Sequence, residues 1–589
     1  MSRSVIWFRK DLRLHDNPAL IEALRSETSA LRGSSPTSSA TSSLLAIFVI
    51  DPWFANPARI VANRYNYLLE ALKDLDASLR ARGSRLVVLR GSPSDVVPTA
   101  VAAWRATRLV FEEDIEPYAR AQDAAVSNSA RAEGVRVTSV LGHTLWSPAA
   151  LEAKAGGRGK IPLKFESFLK VAYSLPPPPR PVVAPSSLPL IDMDDATKKL
   201  FPDTPLYNVP TLASLGFDPA AVTTRFKGQG GETAALATLA AVIKRTNFIE
   251  RFEKPLTDPT TNAPSTTGLS PALRFGTLGA REMWWRVADV LEAARAAGRA
   301  TTGPPTSLAG QLLWREFFYA QAATIDNWDR MEGNRACRLV DWGYDPTLLR
   351  AWEESGTGFP YIDACMAQLR GDGWLHHLAR HAVACFLTRG DLYQSWEHGA
   401  RIFDRYLLDS DWALNNGNWL WLSGTSTFFT AFFRVYSPIT FAKKYDPEGN
   451  YIRKWLPKFA RFPAKYIYEP WTAPRVVQEA AGVVIGRDYP PPVVDHAVAS
   501  KHNVEALSRA YAAHREGAQA AAAIAALAPA AAKGAGQTQM GSDENKARGW
   551  AFRMGVTLGE VPGIGGGGGG GGGQEQVQVQ EQEQERDQR

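Results

Sequence analysis

Short runs of β-branched and other aliphatic residues alternate with helical patterns along the first 150 residues, and this alternation constrains the fold more than any other feature. Each run has the length and composition of a strand that is buried on both faces. Strands separated by helices predict a doubly wound parallel sheet, because a parallel pair needs a crossover connection. The predicted strands cover residues 4–8, 44–50, 85–89, 109–112 and 135–141, with a long helix over 63–82.

Local signals refine this α/β half of the chain. Asn17 followed by Pro18 predicts a capped helix start soon after the first strand. No G-x-G-x-x-G pattern follows that strand, so the usual fingerprint of a dinucleotide-binding domain is absent. Residues 26–43 are rich in Ser, Thr and Ala, and we interpret them as a flexible insertion.

The chain changes character after residue 150 and again near its end. In the helical part, Pro346 and Pro360 open predicted helices, whereas Gly371 and Gly390 end others. The last segment is rich in Ala, Gly and Gln, and it buries too little apolar area to offset its ordering entropy. The predicted regions are an α/β domain over 1–150, a proline-rich connector over 151–231, a mostly α-helical domain over 232–516 and a disordered extension over 517–589.

Composition and charge narrow the class of protein. The chain is 45% apolar, as globular proteins usually are, and its three cysteines cannot form a disulfide framework. The longest apolar run, over residues 520–532, is too short to span a bilayer, and the first residues show no secretory signal. The net charge of +6 is a weak argument for nucleic-acid binding. We therefore expect a soluble intracellular protein, in the nucleus, the cytoplasm or both, without a membrane partner.

The first motif with chemical content is the hydroxyl-rich sequence APSTTGLSPALRFGTLGAR. Ser265, Thr266, Thr267 and Ser270 place hydroxyls and backbone N–H groups just before a helix predicted at Pro271. Such a helix start is a ready anion site, because phosphate needs hydrogen-bond donors and the positive end of the helix dipole. A capping loop without a ligand would explain the same residues.

A second motif lies on a predicted helix with the sequence SLAGQLLWREFFYAQ. Gln311, Trp314 and Arg315 stand at i, i+3 and i+4, so they are predicted to share one stripe. That stripe offers an amide to read hydrogen-bonding edges, an indole on which a base can stack and a guanidinium that pairs with phosphate. An amphipathic helix with a partly buried arginine is the alternative.

Three of the nine histidines lie within six residues, in the sequence GDGWLHHLARH. Trp374, His377 and His381 follow an i, i+3, i+7 pattern and are predicted to share a helical face, with Arg380 beside it. A zinc site is disfavoured, because the pair lacks the glutamate of the His-Glu-x-x-His signature. We favour a general acid/base pair without a metal, since imidazole titrates near neutral pH.

These motifs, together with WFRKDLRLHDNPAL, FEKP and YIYEPWTAP, resemble the photolyase/cryptochrome flavoprotein family. The resemblance is closest to the (6-4) photolyases and animal-like cryptochromes, including those of green algae. It covers about residues 3–515, and neither the insertion nor the C-terminal extension has a counterpart in it. The resemblance implies an α/β antenna domain and a helical domain that binds a folded FAD.

The resemblance also implies which residues hold FAD. The hydroxyl-rich turn matches the family's phosphate-binding turn, and Arg315 matches the arginine that pairs with the FAD phosphates. Arg380 and Asp409 match a salt bridge beside the isoalloxazine, and Asn415 stands where the family places the residue facing flavin N5. Photolyases carry asparagine at that position. The implied cofactor-binding residues are Ser265, Thr266, Thr267, Ser270, Arg315, Arg380, Asp409, Asp411 and Asn415.

Twelve of the 18 tryptophans lie between residues 284 and 455, and core packing explains most of them. In the resembled family, however, Trp419, Trp396 and Trp342 match a photoreduction chain that runs from the flavin outward. Tyr393 stands at i−3 from Trp396, so we expect it on the same helical face, where it would be the terminal electron donor.

The resemblance favours light-driven repair of (6-4) photoproducts in UV-damaged DNA. A flipped lesion would contact Gln311, Trp314 and Tyr436, while His377 and His381 would supply a proton. Cyclobutane-dimer photolyases usually carry asparagine at the position of His377, which makes them a weaker alternative. The other alternative is a signalling-only blue-light receptor whose C-terminal extension contacts partners. The antenna chromophore is a deazaflavin or a folate, or the antenna site is empty.

Overall fold

The computed structural model of the chain describes residues 3–25, 43–189, 199–226, 228–260, 265–428 and 435–531. The strands of its α/β half are β1 Arg3–Phe8, β2 Ser43–Ile50, β3 Leu86–Arg90, β4 Arg108–Glu112 and β5 Arg136–Val140. They form one sheet with the order β3-β2-β1-β4-β5, and all four neighbouring pairs are parallel. The predicted doubly wound sheet is confirmed.

Strands β1 to β4 are buried at nearly every residue. Since successive strand residues point to opposite sides, both faces of the sheet are buried along these strands. Ile6 and Phe8 pack in one apolar cluster, whereas Val5 and Trp7 pack in another on the other face. Burial of each large aliphatic side chain stabilises the fold by roughly 1.5–3 kcal/mol, which fixes the register of the strands. The covering helices are α1 Pro18–Leu24, α2 Ala62–Arg80, α3 Pro93–Ala103 and α4 Pro117–Ala132.

After the sheet, the regular secondary structure of the described residues is helical, as predicted, although most of the described residues between 174 and 231 lie outside any helix. A π-helical turn, Phe386–Gly390, and a short 3₁₀ turn, Lys254–Leu256, lie among the α-helices. The α-helices are α5 Pro148–Lys154, α6 Phe165–Tyr173, α7 Glu232–Ile243, α8 Thr246–Glu250, α9 Ser270–Phe275, α10 Ala280–Ala296, α11 Leu308–Thr324, α12 Pro346–Glu353, α13 Pro360–Asp372, α14 His377–Cys385, α15 Trp396–Tyr406, α16 Trp412–Leu422, α17 Thr440–Lys443, α18 Asn450–Trp455, α19 Arg475–Ala481 and α20 His496–Ala531.

The end of α13 differs from the prediction. Gly371 lies inside this helix, and the residue that ends it is Gly373, which has a φ of 66°. The N–H of Gly373 donates to the carbonyl of Leu369. Of two nearby glycines, only the one in the left-handed conformation ends the helix, and the sequence does not distinguish them.

Charged residues of and around the WFRKDLRLHDNPAL sequence join the α/β half to the helical half. The guanidinium of Arg13 is buried and donates to the carbonyls of Asp16, Gly142 and Gly276. Glu232 at the start of α7 accepts hydrogen bonds from the backbone N–H groups of Leu14 and His15, both at 2.8 Å. This sequence is therefore structural, and it fixes how the two halves meet.

The two segments predicted to lack structure lie mainly outside the described residues. The insertion is described only at its last residue, and nothing is described beyond Ala531. Helix α20 nevertheless continues past residue 517, where we expected order to end, because alanine has the highest helix propensity. Within the described part of the chain, no helix is long and apolar enough to cross a membrane.

Candidate functional site

The two histidines predicted to form an acid/base pair lie one turn apart on α14. The ring centroids of His377 and His381 are 6.0 Å apart, and the rings are nearly perpendicular, at 85°. His381 Nδ1 is 3.3 Å from the hydroxyl of Tyr436. The structure therefore brings together three of the residues that the resemblance assigned to the lesion site. No group of three or more potential metal ligands exists among the described residues.

Trp374 does not share this helical face, so that prediction was wrong. Helix α14 begins only at His377, because the ring of His376 caps it and accepts a hydrogen bond from the N–H of Leu378 at 3.2 Å. Trp374 precedes the helix and stacks on Phe226, with ring centroids 5.7 Å apart. Histidine is an unusual N-cap, and Ser, Thr, Asp or Asn would have signalled the helix start.

The surroundings of these histidines favour neutral imidazoles. Burial lowers the pKa of His377 well below its usual value, and the charges of Lys254, His376, His381 and Arg380 act in the same direction. Burial likewise lowers the pKa of His376 to about 3, with Arg380 and Lys254 contributing. His377 Nε2 is buried and has no hydrogen-bond partner among the described residues. A buried nitrogen of this kind fits contact with a ligand.

The predicted salt bridge between Arg380 and Asp409 is present, with Arg380 Nη2 2.8 Å from Asp409 Oδ2. Arg380 Nε also donates to the carbonyl of Leu375, which fixes the guanidinium. Asp409 accepts a second hydrogen bond from the hydroxyl of Ser270 at 2.7 Å. Ser270 thus supports the carboxylate of the salt bridge, and its role in binding phosphate stays a prediction.

A second polar group is centred on the start of α16. Asp411 caps this helix and accepts a hydrogen bond from the hydroxyl of Tyr319. The guanidinium of Arg315 lies over the Tyr319 ring and is 3.0 Å from Glu316 Oε1. Burial raises the pKa of Glu316 to about 7, although Arg315 opposes this shift. Glu316 therefore compensates the buried charge of Arg315 only in part at neutral pH, which leaves Arg315 suited to an anionic group.

The remaining predicted cofactor contacts lie close in sequence to the serine that supports the Arg380–Asp409 salt bridge or to the polar group at the start of α16. Asn415 donates from Nδ2 to the carbonyl of Ala400 at 2.9 Å, which orients its amide. Thr266 is half-buried, and Thr267 Oγ1 accepts a hydrogen bond from Leu269 N. Hydroxyls for phosphate, a buried guanidinium and an oriented amide are the donors that a folded FAD needs.

The side chains of Gln311, Trp314 and Arg315 do not converge on one stripe. Gln311 turns back to the start of α11 and donates to the carbonyl of Pro305 at 3.0 Å, while Arg315 turns to Tyr319. Trp314 stacks on Phe165, with centroids 3.8 Å apart. Backbone spacing places the three residues close together, but each side chain follows its own local partner.

Trp421 is a site residue that the sequence analysis missed. Its ring centroid is 5.1 Å from that of Trp314 and 6.1 Å from that of His381. It therefore joins the stacking residue of α11 to the histidine pair of α14. The sequence offered one signal. Trp421 lies two residues after Trp419 on α16, so its indole must lie on a different face of the helix from that of the predicted electron carrier.

The four predicted electron carriers lie along a path that leads from the interior of the protein towards its surface. Trp419 and Trp396 are buried, whereas Trp342 and Tyr393 are half-buried, with ring centroids 4.8 Å apart. The Trp419 ring lies against α15 at Gly399, where an added Cβ would come within 2.2 Å of it. Gly399 is one helical turn beyond Trp396, which brings the first two carriers to the same helix.

Tyr393 does not lie on the helical face of Trp396, so this part of the prediction was wrong. Helix α15 begins at Trp396, and the hydroxyl of Ser395 caps it by accepting a hydrogen bond from Glu397 N. Tyr393 precedes the cap and has a φ of 51°, in the left-handed region. Its contact with Trp342 arises from this turn and not from helical periodicity.

Two family models match the chain, one in each half. Residues 4–185 match the model described as DNA photolyase, and residues 307–509 match the FAD binding domain of DNA photolyase. Cryptochrome-2 of Gallus gallus is 45% identical over 86% of this chain and 83% of its own length. The (6-4)DNA photolyase of Oryza sativa subsp. japonica is 44% identical over 87% of this chain and 90% of its own length.

Solved structures agree with these matches. A bacterial class III photolyase from Agrobacterium tumefaciens superposes with a TM-score of 0.68 and 26% identity, covering 87% of this chain and 98% of its own. A Synechocystis cryptochrome superposes with a TM-score of 0.69 and 26% identity, covering 86% and 99%. With its parallel α/β half, its FAD-binding helical half and relatives of this similarity, the chain belongs to the photolyase/cryptochrome flavoprotein family.

Proposed function

We propose that this protein repairs (6-4) pyrimidine–pyrimidone photoproducts in DNA under blue light. The observation that carries the proposal is the meeting of His377, His381 and Tyr436 with the indoles of Trp421 and Trp314. This arrangement places groups that move protons beside an aromatic surface. When bound, FAD supplies light absorption and the electron.

The aromatic surface favours a flipped nucleotide as the substrate. Extruding a damaged base costs a few kcal/mol, and stacking on an aromatic side chain returns roughly 1–3 kcal/mol per base. Trp314 and Trp421 are both half-buried and stacked on each other, so part of this surface is open to a ligand. Gln311 and Tyr436 remain the predicted polar contacts of the lesion.

The histidine pair favours a lesion whose repair needs a proton. Splitting a cyclobutane dimer requires no general acid, whereas the (6-4) lesion must move an oxygen substituent. His377 is neutral beside Lys254 and Arg380, and a negative charge brought next to it raises its pKa. A phosphate or an anionic lesion therefore helps the pair to hold the proton that it donates.

The direct test uses two substrates with the same protein. Pre-reduced protein is illuminated with blue light together with an oligonucleotide that contains one (6-4) photoproduct, and the restored bases are measured by chromatography. A matched oligonucleotide with a cyclobutane dimer is the control. We expect repair of the first substrate only. Repair of the dimer alone, or of neither lesion, would reject the proposal.

Arg315 provides a test of the FAD assignment. We expect Arg315→Ala to lose most of its bound FAD, because a charge-assisted contact with phosphate is not replaced by water at equal cost. Arg315→Lys keeps the charge but not the two-pronged geometry, so it should retain an intermediate amount. The measurement is the ratio of flavin to protein absorbance after purification. Full occupancy in Arg315→Ala would remove this residue from the site.

A specific observation also favours signalling as a second function. Helix α20 covers the outer end of the predicted electron-transfer chain, where Leu507 and Tyr511 pack with Trp342 and Tyr393. Asn503 of α20 donates to the carbonyl of Gly390, close to the same end. Oxidising Trp342 or Tyr393 would place a charge or a radical under this helix. We propose that α20 passes this change to the C-terminal extension and its partners.

Hydrogen exchange tests the signalling proposal. Blue light is expected to speed amide exchange in α20 of the wild-type protein, because a charge beneath the helix weakens its apolar packing. Trp396→Phe, which interrupts the predicted chain before the residues that pack against α20, should remove the light effect and leave the dark exchange rate unchanged. Equal exchange in light and darkness for the wild-type protein would reject the proposal.

A cavity at the carboxyl ends of β1, β2 and β4 is our candidate antenna site. Strand β1 pairs with β2 on one side and with β4 on the other, and doubly wound sheets bind ligands at such a position. The aromatic rings of Phe54, Tyr65 and Tyr118 line it, beside the ion pair of Lys10 and Asp114 at 2.8 Å. We propose that it holds a deazaflavin or a folate.

Filling this cavity separates the antenna from FAD. Ala119 lines the cavity from the α/β side and is buried, so Ala119→Trp should fill the cavity while leaving the residues predicted to bind FAD unchanged. Wild-type protein expressed with added deazaflavin or folate is expected to carry a second chromophore, whereas Ala119→Trp should carry FAD alone. Absorption spectra and mass spectrometry of extracted ligands measure both. A variant that keeps the second chromophore would place the antenna site elsewhere.

A further inference from the structure

His376 makes a second directed hydrogen bond besides the one that caps α14, and no role described so far uses it. It is 3% exposed and precedes the pair His377 and His381 in the chain. Its Nδ1 accepts from the backbone N–H of Leu378, and its Nε2 is 3.2 Å from the hydroxyl oxygen of Ser265. The Ser265 hydroxyl is also 3.2 Å from the carbonyl oxygen of Asp258.

The two ends of this chain of hydrogen bonds fix every proton in it. A backbone N–H only donates, so Nδ1 of His376 must be the acceptor and Nε2 must carry the hydrogen. A backbone carbonyl only accepts, so the Ser265 hydroxyl donates to Asp258 and accepts from His376. Burial and the nearby charges of Arg380 and Lys254 lower the pKa of His376 to about 3, which keeps this neutral tautomer.

The chain joins two parts of the site that are far apart in sequence. Ser265 begins the hydroxyl-rich turn, whereas Leu378 lies in the first turn of the helix that carries the acid/base pair. The rings of His376 and His377 are in contact, with centroids 4.4 Å apart and an interplanar angle of 40°. A displacement of the turn therefore moves His376 and, through it, the ring of His377.

We propose that His376 is a positioning residue that couples the FAD-binding turn at Ser265 to the orientation of His377, an inference that rests on the proposed repair function. It does not touch the lesion. It holds the start of α14 at a fixed distance from the turn, so that FAD binding and alignment of the acid/base pair occur together. Small misplacements of a catalytic group are costly, about 10²-fold for roughly 1 Å.

The first arm of the test measures the link without repair. His376→Asn keeps a good helix cap but is too short to reach Ser265, and Ser265→Ala breaks the same link while leaving the cap intact. We expect each variant to release FAD about fivefold faster, as the loss of one hydrogen bond predicts. In the double variant, the acceleration of FAD release should be smaller than the product of the two single-variant accelerations, because both substitutions break the same link. Independent, multiplicative effects, or a lower melting temperature alone, would show a merely structural role.

The second arm measures repair with pre-reduced, FAD-loaded protein. His376→Asn is expected to lower the repair yield about tenfold. Because burial is the largest cause of the low pKa of His377, a smaller neighbour should also move the pH midpoint of repair upward. The titratable and charged groups that face His377 are Lys254, His376, His381 and Arg380, and all but His376 remain in the variant. A wild-type yield and midpoint in His376→Asn would overturn the proposal. Absence of (6-4) repair by the wild-type protein would instead overturn the proposed function, and FAD release would then decide on the link alone.

Discussion

Repair of (6-4) photoproducts is expected to fall by about 10²–10⁴-fold when either His377 or His381 is replaced by alanine, which is the usual contribution of general acid catalysis. An electron given to the lesion returns unless a proton stabilises the altered bases. FAD content and photoreduction should be unaffected. His377 Nε2 has no partner among the described residues, so the substitution breaks no hydrogen bond at that atom.

The pair should behave as one titrating unit. The rings are 6.0 Å apart, so each histidine influences the protonation of the other, and the double variant should lose little more activity than either single one. Burial and positive neighbours lower the pKa of His377, so the neutral form prevails above that pKa. Donation requires the protonated form. The repair yield is therefore expected to fall as the pH rises through the apparent pKa of the pair.

Three measurements on one preparation separate catalysis from stability. Melting temperature, flavin content and repair yield are compared for His377→Ala, His381→Ala and His502→Ala, whose histidine is exposed on α20 and serves as the matched control. If the two histidines only supported the core, their alanine variants would show a lower melting temperature and a lower flavin content before any specific loss of repair. A stable, flavin-replete His377→Ala protein that repairs normally would reject the (6-4) assignment.

The sheet was predictable because its residues carry the information locally. A strand buried on both faces, such as β2, is apolar at nearly every position, and such a run is visible in the sequence without its neighbouring strands. The turns were harder. Gly371 and Gly373 look alike in sequence, and the cap formed by His376 has no common signature. These boundaries depend on tertiary contacts that local propensity does not contain.

The site also combines features that the sequence predicted with features that depend on tertiary contacts. Motif resemblance placed Arg380 and Asp409 in a salt bridge, and they form one. Periodicity failed for Tyr393, because Ser395 starts the helix after it. It failed for Gln311 and Arg315 as well, since side-chain direction follows the nearest hydrogen-bond or ring partner. Helical spacing gives proximity, whereas the direction of a side chain is set by residues distant in sequence.

Photoreduction of oxidised FAD is expected to slow severely in Trp419→Phe, because phenylalanine is far harder to oxidise than tryptophan. The substitution keeps an apolar ring in the pocket formed by Trp352, Phe403 and the surface of α15 at Gly399. The absorption spectrum of bound FAD should therefore remain nearly unchanged. Bleaching of the flavin band under blue light, with an external reductant present, measures the rate.

A neighbouring tryptophan provides a matched control for this experiment. Trp352 is also fully buried and lies 6.3 Å from Trp419 between ring centroids, but it is outside the predicted chain. Trp352→Phe loses the hydrogen bond from its indole N–H to the carbonyl of Val383, which costs about 1 kcal/mol of stability. We expect it to photoreduce at close to the wild-type rate. Equal slowing in both variants would mean that packing, and not electron transfer, is responsible.

Repair by chemically reduced protein completes the argument. The repair electron starts on the flavin, so Trp419→Phe that has been reduced in the dark should repair (6-4) photoproducts as well as the wild-type protein does. Trp396→Phe and Trp342→Phe should show the same separation, with slow photoreduction and normal repair, because they lie further along the same path to the surface. Photoreduction at the wild-type rate in Trp419→Phe would mean that electrons reach the flavin by another route and that this chain is wrongly assigned.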